Sequence, residues 1–217
     1  MKIDNDTINV LKNFAKINPS IVVQEGNVLK TLSPTKTIMA KAKVKTEFSK
    51  RFAIYNLDRF ISIVSIFTDP EFKFGDKSVD ISDKNKRIHY IYADEHTVTK
   101  APEKDINLPS IDVKFKLTNE HLKDVEKAAG ILGLPEIAVL GDGKNISLQA
   151  IDSKNPTGDV YSIQIGETDK QFKAIFKAEN IKIISTDYDV NISSKGISHF
   201  QGEEVEYYIA VESNSSF

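Results

Sequence analysis

The chain has 217 residues, 29 Lys and Arg against 31 Asp and Glu, a net charge of −2, 40% apolar residues and no cysteine. That composition excludes a disulfide scaffold, a cysteine nucleophile, cysteine-ligated zinc and a polycation held to nucleic acid by total charge. The length suits one large domain or two small ones, and no apolar run approaches the roughly 20 residues that span a bilayer.

In chain order, MKIDNDTINV lacks the apolar core of a signal peptide, so a cytosolic, non-secreted protein is expected. VLKNFAKIN (10–18) puts Val10, Phe14 and Ile17 on one helical face and Lys12 and Lys16, four apart, on another. PSIVVQEGN (19–27) is a short apolar run closed by a Gly turn, and TIMAKAKV (37–44) alternates as a strand does. FAIYNLDRFISIVS (52–65) reads as a short strand running into a second helix that turns Leu57, Phe60, Ile61 and Val64 inward. IHYIYADE (88–95) closes the first half as a strand. Residues 97–112 carry Pro102 and Pro109 and read as an extended connector, because Pro supplies no ladder N–H and biases its predecessor toward extended backbone.

The same order then returns, displaced by about 115 to 121 positions. TNEHLKDVEKAAGIL (118–132) opens on a Thr118 cap, buries Leu122, Val125 and Ala129, and carries Lys123 and Lys127 off that face. PEIAVLGDGKN (135–145) repeats the apolar run, with GDG as its turn. DVYSIQI (159–165) repeats the alternating strand. KAIFKAENIKIIS (173–185) repeats the strand and second helix, through Ala178, Ile181 and Ile184, and EYYIAVE (206–212) repeats the last strand. The reading is a duplicated α+β domain: residues 1–98, a connector at 99–111, and residues 112–217.

Reactive groups do not converge. His89, His96, His121 and His199 lack ligand spacing, and the carboxylates at 80, 83, 187, 189, 203, 204 and 206 fall in turns and hairpin tips, where Asp solvates and caps. GDGK lacks the frame of a phosphate loop. Neither enzyme, metal site nor cofactor is expected. The basic residues are more informative. Lys12 and Lys16 recur as Lys123 and Lys127, and the second helices add Arg59, Lys177 and Lys182. Scattered cations on helices suit phosphate contacts, which position without reading sequence, and no helix carries the Asn, Gln and Arg that read base edges.

LKNFAKIN (11–18), FAIYNLDRFISIVSIF (52–67) and FQGEEVEYYIAVE (200–212) make the chain resemble the sliding clamps of T-even-type bacteriophages, the DNA polymerase processivity factors. The resemblance spans the chain, duplication and connector included. It implies domains with two helices on one side of antiparallel sheets, closed as a homotrimeric ring whose helices face the encircled duplex. It implies DNA polymerase, clamp loader and late-transcription factors as partners, in the cytoplasm of an infected bacterium. Lys12, Lys16, Arg59, Lys123, Lys127, Lys177 and Lys182 are then expected to face DNA. Family topology places the subunit joint between residues 86–93 (Ile88, Tyr90, Tyr92) and residues 159–165 (Tyr161, Ile163). A pocket for partner peptides is expected beside the connector, from Ile106, Leu108 and Pro109, with Ile209 and Val211 opposite. The competing readings are a non-enzymatic phage structural protein built from duplicated α+β domains, and a hydrolase whose site leaves no motif.

Overall fold

The computed structural model describes residues 1–217, which divide into two compact units, Met1–Lys104 and Asp105–Phe217. In the first, α1 (Asn5–Ile17) starts where the Asp4 carboxylate accepts from the Thr7 N–H at 2.9 Å, the Thr7 hydroxyl at 2.6 Å and the Thr46 hydroxyl at 2.5 Å. Partial burial raises the Asp4 pKa. These hydrogen bonds outweigh it and hold the pKa at about 2, so the cap is charged at neutral pH. A cap of this kind stabilises by ~1 kcal/mol. The helix ends before Asn18, whose backbone is extended and whose amide donates to Leu32 O at 2.8 Å, and Pro19 follows.

The strands β1 (Ile21–Val23), β2 (Gly26–Leu32), β3 (Ile38–Phe48) and β4 (Phe52–Ile54) come next; β2 pairs with β3 and β1 with β4, both antiparallel. Helix α2 (Leu57–Val64) is capped by the Asn56 side chain, which accepts from the Arg59 N–H at 2.8 Å. It buries Leu57, Phe60, Ile61 and Val64, as its periodicity requires. β5 (Glu71–Phe74), β6 (Ser78–Asp83) and β7 (Lys86–Ile91) form an antiparallel meander with β7 at one edge. On α1 the buried stripe is Thr7, Leu11, Phe14 and Ile17, while Val10 is only half-buried.

In the second unit β8 (Val113–Leu117) precedes α3 (Asn119–Leu132). Thr118 caps α3 by accepting from the His121 N–H at 3.2 Å, and Gly133 ends it at φ 66°, a left-handed conformation that favours glycine. Leu122, Val125 and Ala129 are its buried residues. β9 (Glu136–Asp142), β10 (Asn145–Ile151), β11 (Tyr161–Glu167) and β12 (Gln171–Lys177) pair antiparallel in the order β11-β10-β9-β12, with β11 and β12 at the edges. β13 (Tyr188–Ser193), β14 (Ile197–Gln201) and β15 (Val205–Ala210) follow, β8 pairing with β13, β13 with β14 and β14 with β15. In element order β1–β4 correspond to β9–β12, and β5–β7 to β13–β15.

The expected second helix of the second unit is not there. After β12 the chain makes one 3-10 turn, Ala178–Ile181, without a side-chain cap. Ile181 and Ile183 are buried while Lys182 is exposed, a period of two rather than three or four. The backbone at Ile184 is held from outside: its N–H donates to the Tyr207 hydroxyl at 3.1 Å and its carbonyl accepts from the Tyr188 hydroxyl at 2.6 Å. Burial of both rings pushes the two tyrosine pKa values up, so both hydroxyls remain protonated. With backbone groups satisfied by side chains and β-branched Ile at 181, 183 and 184, an irregular segment with a tight turn at Lys182 replaces the helix.

Candidate functional site

The residues singled out by sequence fall into three groups. The first is basic. Lys12 and Lys16 are exposed on α1, Arg59 on α2, and Lys123 and Lys127 on α3; Lys177 is exposed at the end of β12 and Lys182 beyond the 3-10 turn. The four helical lysines follow from packing: α1 turns Leu11 and Phe14 inward and α3 turns Leu122 and Val125 inward, which leaves the lysines on the opposite faces. The structure pairs Lys2 with Asp69, Lys45 with Asp6 and Lys100 with Glu95, and none of the four helical lysines joins these pairs. The Lys45–Asp6 contact, at 2.6 Å, also neutralises an acidic group in the first turn of α1. On α3, Glu120 and Asp124 are exposed beside Lys123 and Lys127, so this helix presents both signs.

The second group lies on two edge strands. Ile88, Tyr90 and Tyr92 are half-buried along one face of β7 and its continuation. The Tyr90 ring meets Phe60 edge-on, centroids 5.2 Å apart, and Tyr92 stacks on Phe52 at 5.0 Å. Burial raises the Tyr90 pKa, with Arg59 close enough to oppose it, and pushes Tyr92 up to about 12. On β11, Tyr161, Ile163 and Ile165 are half-buried on one face, while Ser162 and Gln164 are exposed on the other. Each strand is laddered on one side only, β7 to β6 and β11 to β10. Four further apolar side chains, outside the expected joint residues, are exposed. Ile91 is 70% exposed at the end of β7, Val160 56% just before β11, and Ile131 73% and Leu132 42% at the end of α3. Ile131 carries a signal in the sequence, since it falls on the far side of α3 from the Leu122–Val125–Ala129 stripe; Leu132, seven residues after Val125, keeps the stripe's spacing and is exposed at the last position of the helix.

The third group flanks the connector. Ile106 and Leu108 are half-buried and Pro109 is exposed. Ile209 is a correction. It is fully enclosed and shares a face of β15 with the equally enclosed Tyr207, so its side chain belongs to the core of its unit. Glu206, Tyr208 and Ala210 occupy the other face of β15. There Tyr208 stacks on His199 with centroids 4.4 Å apart, and His199 Nε2 lies 2.7 Å from Glu206 Oε2. Val211 is half-buried just past the strand end, its N–H donating to Gly196 O at 3.0 Å. The start of the connector is clasped to its own unit. Arg51 forks onto Glu95 at 2.8 and 2.6 Å, and Lys100 reaches the same carboxylate at 2.9 Å. These cations hold the Glu95 pKa at about 2.

No three His, Asp or Glu side chains cluster in a way that holds a metal ion, and no helix is long and apolar enough to cross a membrane. What the surface offers is exposed lysines on α1 and, among carboxylates, on α3, together with open strand edges.

Comparison with known proteins gives a consistent result. Residues 4–98 match the family described as DNA polymerase processivity factor, and residues 114–213 match the family described as gp45 sliding clamp, C terminal. A sliding clamp of Vibrio phage KVP40 is 36% identical over 220 residues, which cover 98% of this chain and 99% of that protein. The sliding clamp of Enterobacteria phage T4 is 28% identical over 226 residues, 100% of this chain and 99% of that one. The fold matches that of PCNA from A. fulgidus, solved with the C-terminal region of FEN-1 bound. The TM-score is 0.70 at 13% identity, covering 94% of each chain.

Proposed function

Because the chain belongs to the sliding clamp family, the DNA polymerase processivity factors, we propose that three copies close head to tail into a ring that encircles duplex DNA and tethers the replicative polymerase. The observation that carries this reading is the pair of one-sided strands, β7 in the first unit and β11 in the second. An open edge invites strand addition, and two different edges on one chain make a heterologous contact that closes when the rotation allows. β7 of one subunit pairs antiparallel with β11 of the next, with Ile88, Tyr90, Tyr161 and Ile163 packing behind the ladder. Ile91, Val160, Ile131 and Leu132 extend the apolar contact.

The role is non-catalytic. A ring linked to DNA by topology needs attraction weak enough to slide. Exposed lysines on α1 and α3, with Arg59, Lys177 and Lys182, supply phosphate contacts that salt screens and that read no sequence. Exposed Glu120 and Asp124 moderate that attraction on α3. The ring's partners are polymerase, clamp loader and late-transcription factors in the cytoplasm of the phage-infected cell, and polymerase and loader dock through short peptides. The peptide bound to A. fulgidus PCNA supports this mode of docking. Here the pocket is walled by Ile106, Leu108 and Pro109 on the connector and by Val211 with the Tyr208 face of β15. The Arg51–Glu95–Lys100 clasp holds the connector root in place.

The pocket is tested by Leu108→Glu. A partner peptide gains ~1.5–3 kcal/mol from each large apolar side chain that it buries. A carboxylate at the wall is therefore expected to weaken polymerase binding to the ring by roughly tenfold to a hundredfold, while trimer mass and retention on DNA stay as in wild type. Titration of labelled polymerase against the purified variant reads this directly. Unchanged affinity with an intact trimer places the pocket elsewhere on the chain.

A further inference from the structure

A sheet has two edges, and each edge that a protein does not use for assembly is a liability unless something covers it. The sheet that carries β11 has β12 as its other edge, and that edge is covered. The Glu212 N–H donates to Ile175 O at 2.8 Å, and Ser216 and Lys173 exchange two backbone bonds of 2.9 and 2.8 Å. Between them the Ile175 N–H donates to the Ser215 hydroxyl at 2.9 Å, and Asn214 Nδ2 donates to Ser153 Oγ at 3.0 Å. These bonds engage the outward backbone groups of β12 at Lys173 and Ile175. The segment contributes little to the core, since Ser213, Asn214, Ser216 and Phe217 are all exposed. Backbone and side-chain hydrogen bonds hold it along the strand.

The sheet that carries β7 is treated the same way. Its other edge is β5, where Phe72 and Met1 exchange two backbone bonds of 2.8 and 2.7 Å. In both sheets a segment of the chain's own backbone closes one edge, and the edge left open is the one assigned to the joint.

We propose that residues 212–216 are an edge guard that leaves this sheet a single acceptor strand, so that a neighbour's β7 pairs with β11 and not with β12. The inference rests on the β7–β11 joint. Backbone donors and acceptors on an edge strand are generic, so an uncovered β12 adds a second acceptor to each chain. A chain with one donor edge and two acceptor edges builds branched and open assemblies, whereas one of each closes into a ring.

Cysteine pairs test this in the full chain, which has no cysteine of its own. His89→Cys on β7 with Ser162→Cys on β11 reports the joint; His89→Cys with Lys173→Cys reports contact with β12. All three positions tolerate a reporter, since His89 and Ser162 are exposed and Lys173 lies half-exposed on the covered edge. The guard is broken by Ser215→Pro with Ser216→Pro, which removes two backbone N–H groups and the Ser215 hydroxyl, and weakened by Ser216→Pro alone. Under mild copper–phenanthroline oxidation, the 89/162 pair is expected to crosslink between subunits whether or not the guard is intact. The 89/173 crosslink is expected to rise roughly tenfold when the guard is broken, the ratio for about one net hydrogen bond. It is expected to rise less with Ser216→Pro alone, and species larger than the ring should appear by light scattering. No gain in 89/173 crosslinking and an unchanged size distribution in both variants overturn the guard. Loss of the 89/162 crosslink with the guard intact instead overturns the joint itself.

Discussion

Replacing Ile163 with Pro is expected to convert the assembly into free subunits of 24.3 kDa. Ile163 sits in the middle of β11, opposite Leu148 of β10, with its side chain half-buried on the apolar face. Pro removes a backbone donor from a strand laddered on both sides once the joint forms, and Pro is tolerated in sheets only at edges and bulges. The change also removes an apolar side chain that packs behind the joint. One ladder bond and one partly buried Ile amount to ~3 kcal/mol, or about a hundredfold weaker association at each joint. A closed trimer contains the joint once per subunit, so the loss is felt at every closure. Ile91→Asp separates an assembly defect from a folding defect: Ile91 is 70% exposed, and a substitution there leaves the core of the unit alone. Both variants should run as monomers in sedimentation velocity at micromolar concentration while the circular dichroism of the subunit is retained. A trimer that survives both changes places the joint on other strands.

Reversing the charge of Lys12 and Lys127 together is expected to be the most damaging surface change for function. Both are exposed on helices whose opposite faces are packed, and they occupy equivalent positions of the duplication. In a ring each occurs once per subunit, so the double change replaces several attractive interactions with repulsive ones. Removing each phosphate interaction should flatten the salt dependence of the protein's affinity for DNA by roughly 0.9 in log–log slope. Processive synthesis should fall most at low salt, where these interactions contribute most. The thermal midpoint of the protein should scarcely move, because exposed charge changes away from caps and cores stay within ~0.5 kcal/mol. Processivity equal to wild type across a salt series removes these lysines from the DNA-facing surface.

Much of this architecture was legible in the sequence because it rests on local periodicity. The stripe through Phe14 and Ile17 and the stripe through Leu122, Val125 and Ala129 are helical by spacing, and they determine which faces the lysines can occupy. The alternating strands at 38–48 and 161–167 follow a period of two, which no helix mimics. Where the sequence misled, a distant residue decided the outcome. Ala178, Ile181 and Ile184 satisfy helical spacing, yet Tyr188 and Tyr207 capture both backbone groups of Ile184, and nothing between 178 and 184 announces those hydroxyls. Ile209 and Val211 stand two apart and read as one strand face. β15 ends at Ala210, so Val211 leaves the alternation and Ile209 falls with Tyr207 into the core. The guard along β12 was invisible for a related reason. A Ser- and Asn-rich stretch reads as loop, and its role lies in backbone bonds to a strand some forty positions earlier, as between Ile175 and Ser215.

The central claim is that the chain works by topology, holding DNA inside a closed ring and not by affinity. The measurement that tests it is retention on duplex DNA of two forms. Clamps are assembled by the loading complex on nicked circular DNA, separated from free protein by gel filtration, and followed after the circle is cut once by a restriction enzyme. Retention on the uncut circle that persists, followed by release within the time needed to slide off the cut ends, is the predicted result. Equal residence on circular and linear DNA would mean that the protein is held by binding affinity alone and would contradict the account.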